Sequence, residues 1–194
     1  DCAAGTKTVE HDFPIHNVRN LALGNDRRLY LTCQRLNPKG YADREDIHWG
    51  ILIENEILAI DVASLIDEDR QGPLRPERIA LGGPGEGAGD PEAVLVTPEK
   101  LVVTLSGTGE LAIVERVGVR ESRVATGSRP LDVVHDVATN RAFVVNSVSD
   151  SVSIVDLNAN RLVDTISLGP SPPFGIVERG ESAFFNATLS YESW

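Results

Sequence analysis

The loop DREDIHWG, residues 43–50, gathers the densest set of chemistry-bearing side chains in the sequence: Asp43, Glu45, Asp46, His48 and Trp49. Carboxylates beside an imidazole can hold a cation or move a proton, and insertions between strands are where binding loops collect. Asp43, Asp46, His48 and Trp49 are therefore the candidate binding residues. A plainer role competes with this one and is the stronger on residue types alone: Trp49 pins the loop to a sheet and the carboxylates face solvent. His11, Asp12 and His16 have the ligand types that suit zinc or copper, but their spacing in a segment containing Pro14 fixes no shared face. His135-Asp136 has the composition of a carboxylate orienting an imidazole, yet no nucleophile accompanies it; Ser147, Ser149 and Ser151 read as turn serines.

Two other patterns carry less. Gly83, Gly85 and Ala88 form a G-x-G-x-x-A spacing within GGPGEGAGD, residues 82–90. A dinucleotide loop must present phosphate to the start of a helix, whereas Pro91 and the strand-like EAVLVT follow here, and the Gly-Lys-Ser/Thr of a P-loop is missing. Asn186-Ala187-Thr188 fits an N-glycosylation acceptor, which matters only in a eukaryotic secretory setting. No catalytic or metal-ligating constellation emerges. Cys2 and Cys33 are compatible with one disulfide or with two free thiols. A bridge closing that loop would add on the order of 3 kcal/mol in the chain-entropy model.

The chain has 194 residues, enough for a sizeable core, but aromatics are scarce and methionine is absent. Packing must rest on Val, Ile, Leu and Ala. Eighteen basic against twenty-nine acidic residues give a formal net charge of −11, which opposes sequence-independent attraction to nucleic acid or to anionic membranes. No apolar run approaches the roughly 18 to 20 residues that span a bilayer, and the opening DCAAGTKTVEHD lacks the basic and apolar regions of a signal peptide. Nucleic acid is not an expected partner, and no membrane span is expected.

The elements that would position any site are strands. Residues 130–169 contain four short runs rich in β-branched residues, at 131–135, 141–146, 152–156 and 162–168, separated by turn formers such as Asn140, Asp150 and Asn160. Strands are also expected at 18–23, 28–33, 51–53, 56–62, 78–81, 92–97, 100–105, 111–115 and 120–126, with Gln34 to Gly50 an inserted loop and Ala63 to Asp67 a helical turn. KLVVTLSGTGELAIVE at 100–115 matches RAFVVNSVSDSVSIVD at 141–156 at a constant offset of 41, with Leu101, Val102, Val103, Leu111, Ile113 and Val114 falling on Ala142, Phe143, Val144, Val152, Ile154 and Val155. RLYLT at 28–32, ILAID at 57–61 and RIALG at 78–82 join the same pattern. A repeat of about forty residues with four strands per unit is the signature of a β-propeller. The expected fold is all-β: about three four-stranded blades at 18–90, 91–129 and 130–172. Residues 1–17 form a lead-in or the end of a preceding blade. Propellers close with four to eight blades, so three are expected to be part of a larger ring.

AFVVNSVSDSVSIVDLNANRLVDTISLG resembles the YVTN family of propeller repeats. Asn146 sits where that family's motif ends in Asn, and Phe143-Val144-Val145-Asn146 departs from it by Phe for Tyr and Val for Thr. After Pro170 the character changes. ERGESAFFNATLSYESW, residues 178–194, reads as a short C-terminal helix and resembles the opening of the di-haem cytochrome c peroxidase family through Gly180, Glu181, Ala183, Phe184, Phe185, Leu189 and Ser190. Residues 173–194 are then a linker and the start of such a domain. In that family this phrase comes shortly before the first Cys-x-x-Cys-His, which occurs nowhere in this sequence, so no haem ligand is assigned here. The resemblance implies a c-type haem beyond Trp194, a haem-bearing domain or redox protein as partner, and a periplasmic or extracellular location. The 43–50 loop is similar in style to an insertion of haem-linked propellers, which implies domain docking. The expected function is a non-catalytic scaffold within an electron-transfer protein; the alternative is a YVTN-type surface or periplasmic module binding a protein or polymer through its rim loops.

Overall fold

The computed structural model describes residues 9–118, 120–170 and 175–194. It is all-β, with three four-stranded antiparallel sheets, each a simple meander. Blade 1 comprises β1 (His16–Leu23), β2 (Arg28–Leu36), β3 (Ile53–Asp61) and β4 (Glu77–Leu81). Blade 2 comprises β5 (Pro91–Val96), β6 (Lys100–Leu105), β7 (Glu110–Glu115) and β8 (Glu121–Ala125). Blade 3 comprises β9 (Pro130–Asp136), β10 (Arg141–Asn146), β11 (Ser151–Asp156) and β12 (Arg161–Ser167). The first strand of the middle blade, β5, touches both β1 and β9, so the first strands gather toward a common axis as in a β-propeller.

Local chemistry explains the meanders. β-Branched residues alternate between the two faces of a pleated strand, and the turns are closed by residues that accept left-handed backbone. Asn140, Asp150 and Asn160 stand at φ 51°, 44° and 48°. The Asp156 carboxylate accepts from the amides of Asn158 and Ala159, which ties the β11–β12 turn and holds its pKa below the usual carboxylate range.

Because each blade is apolar on both faces, it must stack. Tyr30, Ile57, Ala59, Ile79 and Leu81 of blade 1 pack against Val94, Leu101, Val103, Ala112 and Val114 of blade 2. The opposite face of blade 2, with Ala93, Val102, Leu111, Ile113 and Val124, packs against Val133, Ala142, Val144 and Val155 of blade 3. Polar ties cross these seams. Lys100 Nζ donates to Leu157 O and, at 2.8 Å, to Asn160 Oδ1, while the Arg116 guanidinium reaches Asp26 and donates to Tyr30 Oη at 2.8 Å.

The first blade differs from its sequence reading in two places. The two runs expected at 51–53 and 56–62 merge into the one strand Ile53–Asp61, because Glu54 and Asn55 pair with Arg35 and Gln34 across the ladder and Gln34 Nε2 donates to Asn55 Oδ1 at 2.8 Å. The inserted loop also begins later, since β2 runs to Leu36, and it holds a short helix, α1 (Arg44–His48). The turn after β3 is α2 (Val62–Leu65), capped by Asp61.

Cys33 lies fully buried in β2, opposite Glu56, as a free thiol. Its possible disulfide partner, Cys2, lies outside the described residues. Burial first, then the Glu56 carboxylate, push the Cys33 thiol up to about 12, with the nearby Arg78 guanidinium opposing. An unfolded thiol ionises near pH ~8.5. Below that value both states keep the proton and pH has no effect through this group. Above it only the unfolded chain ionises, so stability falls by about 1.4 kcal/mol per pH unit until pH about 12. Under reducing conditions, urea unfolding from pH 8 to 10 should therefore show a steeper loss for the parent protein than for Cys33→Ala. Equal slopes would contradict this.

Candidate functional site

The C-terminal segment is where the fold builds a site. Helix α3 spans Ile176–Phe184 only; the expected helix over 178–194 is interrupted at Asn186, whose backbone is extended and whose side chain accepts from Thr188 N at 2.9 Å. Asparagine competes for the backbone in this way and starts a new turn. Two 3-10 turns follow, Ala187–Leu189 and Tyr191–Ser193, with Asn186 capping the first. This tail lies back on the rim of blades 1 and 2. Ala187 N donates to Gly107 O at 2.8 Å, and Gly87 N donates to Glu192 O at 2.8 Å.

The candidate residues of the 43–50 loop divide by role. Asp43 and Asp46 build the loop itself: Asp43 Oδ1 accepts from Asp46 N at 2.9 Å as the N-cap of α1, and Asp46 Oδ2 accepts from Tyr41 N at 2.6 Å. His48 faces the tail. Its Nδ1 lies 3.0 and 3.1 Å from the two carboxylate oxygens of Glu192, and its carbonyl accepts from Gly85 N at 3.0 Å. Trp49 is exposed and sits edge-on to the His48 ring, with centroids 5.4 Å apart. Its neighbour Gly50 receives the tail's last residue: a Cβ there would lie 2.7 Å from Cζ2 of Trp194. Ile47, Leu52, Ile53, Tyr191 and Trp194 border a small cavity of about 120 Å³ beside this contact, and the Arg44 guanidinium stands over the Tyr191 ring.

The glycine-rich stretch after β4 has a role its sequence pattern did not reveal. Gly87 and Gly89 allow the tail's backbone to approach: at Gly87 a Cβ would lie 2.6 Å from the Trp194 amide nitrogen. Behind it opens a cavity of about 570 Å³ between Gly82–Gly87, Glu110, Glu121, Arg123 and Glu192. Its one arginine is consumed: Arg123 pairs with Glu121 at 2.7 Å and Glu110 at 3.2 Å and donates to Gly87 O at 2.7 Å. On the blade 3 side, Arg129 pairs with Glu181 at 2.9 Å and covers the Phe185 ring. Tail and rim are thus joined at both ends, by the Arg129–Glu181 ion pair and by the His48–Glu192 hydrogen bond.

The remaining sequence candidates serve structure. His11 Nε2 lies 2.9 Å from Leu65 O, and His16 pairs with Gln34 in the β1–β2 ladder. His135 Nε2 contacts Asn140 Oδ1 at 2.9 Å, while Asp136 accepts from Ala138 N and Thr139 Oγ1 and has its pKa lowered mainly by the Thr139 hydroxyl. Among the described residues no group of three or more His, Cys, Asp or Glu side chains is placed to hold a metal ion, and no helix is long and apolar enough to cross a membrane.

No family model matches the sequence, and no curated protein matches it. Solved structures do. Hydrazine synthase of Kuenenia stuttgartiensis superposes with a TM-score of 0.61 at 16% identity, covering 74% of this chain and 46% of that one. A protein of unknown function from Bacteroides caccae gives a TM-score of 0.51 at 10% identity, covering 82% of this chain and 48% of that one. At these identities the likeness is one of fold, and it agrees with a β-propeller. The chain spans about half the length of either structure.

Proposed function

We propose that the chain is a non-catalytic β-propeller scaffold within a larger haem-bearing protein, and that its rim seats the opening of a cytochrome c peroxidase-like electron-transfer domain. The observation that carries this is the docked tail. The segment from Gly180 to Ser190 that resembles the opening of that domain belongs to the part of the chain held on the rim by Glu181–Arg129 and His48–Glu192. A scaffold that positions a redox centre must fix the connecting segment, because transfer distance and orientation depend on it. On this reading the 43–50 loop binds in cis: His48 and Gly50 receive Glu192 and Trp194, and the partner is the domain that follows. The haem would be of the c type, carried beyond Trp194, and covalent haem attachment fits a periplasmic or extracellular setting.

The rival reading, a surface or periplasmic module that recognises a protein or polymer through the same loops, leaves less of the rim free, since the His48 imidazole already meets a carboxylate. The codons that follow Trp194 discriminate. A Cys-x-x-Cys-His within about ten residues is the expected result, as the covalent haem attachment motif. Its absence would refute the haem reading.

A further inference from the structure

The docked tail leaves the outward face of blade 3 unexplained. We infer that it is a docking surface for a further four-stranded blade of the same repeat, supplied by the larger polypeptide; this rests on the reading that the chain is part of one.

The argument comes from the internal repeat. Phe143, Val145, Val152 and Ile154 occupy the positions of Val102, Thr104, Leu111 and Ile113 one unit earlier. Those four are fully buried, three of them in the seam where blade 2 receives blade 3. In blade 3 the same positions face outward, Val145 at 38% exposure, flanked by Val134 at 60% and Ile166 at 47%. The ladder places these side chains side by side: Val134, Phe143 and Ile154 are paired neighbours, as are Val145, Val152 and Ile166. The face is apolar at its centre, with Asp132 and Asp164 at the ends of the two rows, and an uncovered apolar sheet surface of this kind marks an interaction surface.

The occupant's chemistry follows from what fits the equivalent seam. Blade 2 receives Val133, Ala142, Val144 and Val155, a flat face of small and β-branched residues. A fourth unit would present that face in the same register and continue the existing stacking. A second copy of this chain fits less well. To continue the stacking it would have to offer the outward face of blade 1, where Leu58 and Ile60 are already buried and Glu56 is engaged by Arg78 at 2.5 Å. The net charge of −11 also opposes pairing of identical chains.

Single-cysteine labelling tests the surface. In a Cys2→Ser background, with Cys33 buried, Val145→Cys and Ile166→Cys are each reacted with a maleimide in the 194-residue chain and in the complete natural polypeptide. Val117→Cys, at a position 92% exposed and far from the face, serves as reference. Both face sites are expected to react at least about tenfold more slowly in the complete polypeptide, with the reference unchanged. Equal rates in the two proteins would overturn the inference. So would a rate in the 194-residue chain that falls with its own concentration, since that assigns the face to a second copy. Haem content, measured on the same polypeptide, separates this outcome from the proposed function: a covered face without haem sinks only the latter, an open face with haem only the former.

Discussion

Truncating Ile113 to alanine should cost about 2–5 kcal/mol of unfolding free energy, whereas the same change at Ile154, its repeat partner, should cost about 1 kcal/mol or less. The two residues are identical in type, sit on the third strand of adjacent blades and share their backbone register, so strand propensity cancels in the comparison. They differ in what covers them. Ile113 is fully buried in the seam between blades 2 and 3; Ile154 lies on the outward face of blade 3. Removing a buried side chain loses its transfer free energy and leaves a cavity, while removal from an uncovered face leaves none. Chemical denaturation of the two variants measures the difference directly. Comparable losses would mean that the outward face of blade 3 is already covered.

The second large effect concerns the tail. Gly87→Val should release residues 186–194 from the rim, and Gly83→Val should not. Gly87 has no left-handed backbone to lose, so valine is tolerated by the chain itself; its Cβ, however, would meet the Ser193 carbonyl and lie 2.6 Å from Trp194 N. A backbone neighbour cannot swing away as a flexible side chain can. At Gly83, four residues away, a Cβ meets nothing within 4 Å. With the tail displaced, the His48–Glu192 pair and the Trp194–Gly50 contact are lost together. Chymotryptic cleavage at Phe185 and Tyr191 should accelerate at least about tenfold in Gly87→Val, because proteolysis tracks the population of the open form. The fluorescence of Trp194 should shift to the red as it leaves its packed position, whereas Trp49 is exposed in either case. Unchanged cleavage in Gly87→Val would show that the tail does not depend on this contact.

These two tests also mark what the sequence could and could not reveal. The blades were legible because their determinants are local: β-branched runs, Asn and Asp at left-handed turns, and an offset of 41 that keeps most apolar positions of the central strands in step. Lys100–Leu105 and Arg141–Asn146 are strands at the expected bounds. The rim site was half legible. Residue types drew attention to the 43–50 loop, but nothing local shows that His48 meets a carboxylate 144 positions away. Asp43 and Asp46, taken together with His48 as binding residues, spend their oxygens on the turn that presents it. The glycines suggested only an unfulfilled phosphate loop. Nothing in their spacing separates Gly87 and Gly89, against which the tail packs, from Gly83, where a Cβ would meet nothing within 4 Å. The helix was overextended because Asn186 caps a new turn within a helical-looking phrase.

The central claim is that this propeller holds the opening of a haem-bearing domain against its rim. The most direct measurement is the visible absorption spectrum of the complete natural polypeptide after denaturation in alkaline pyridine, where only covalently attached haem stays with the chain. The account predicts the spectrum of a c-type haem that remains with the protein through denaturing gel filtration. A polypeptide that carries this chain and shows no haem absorption would contradict it.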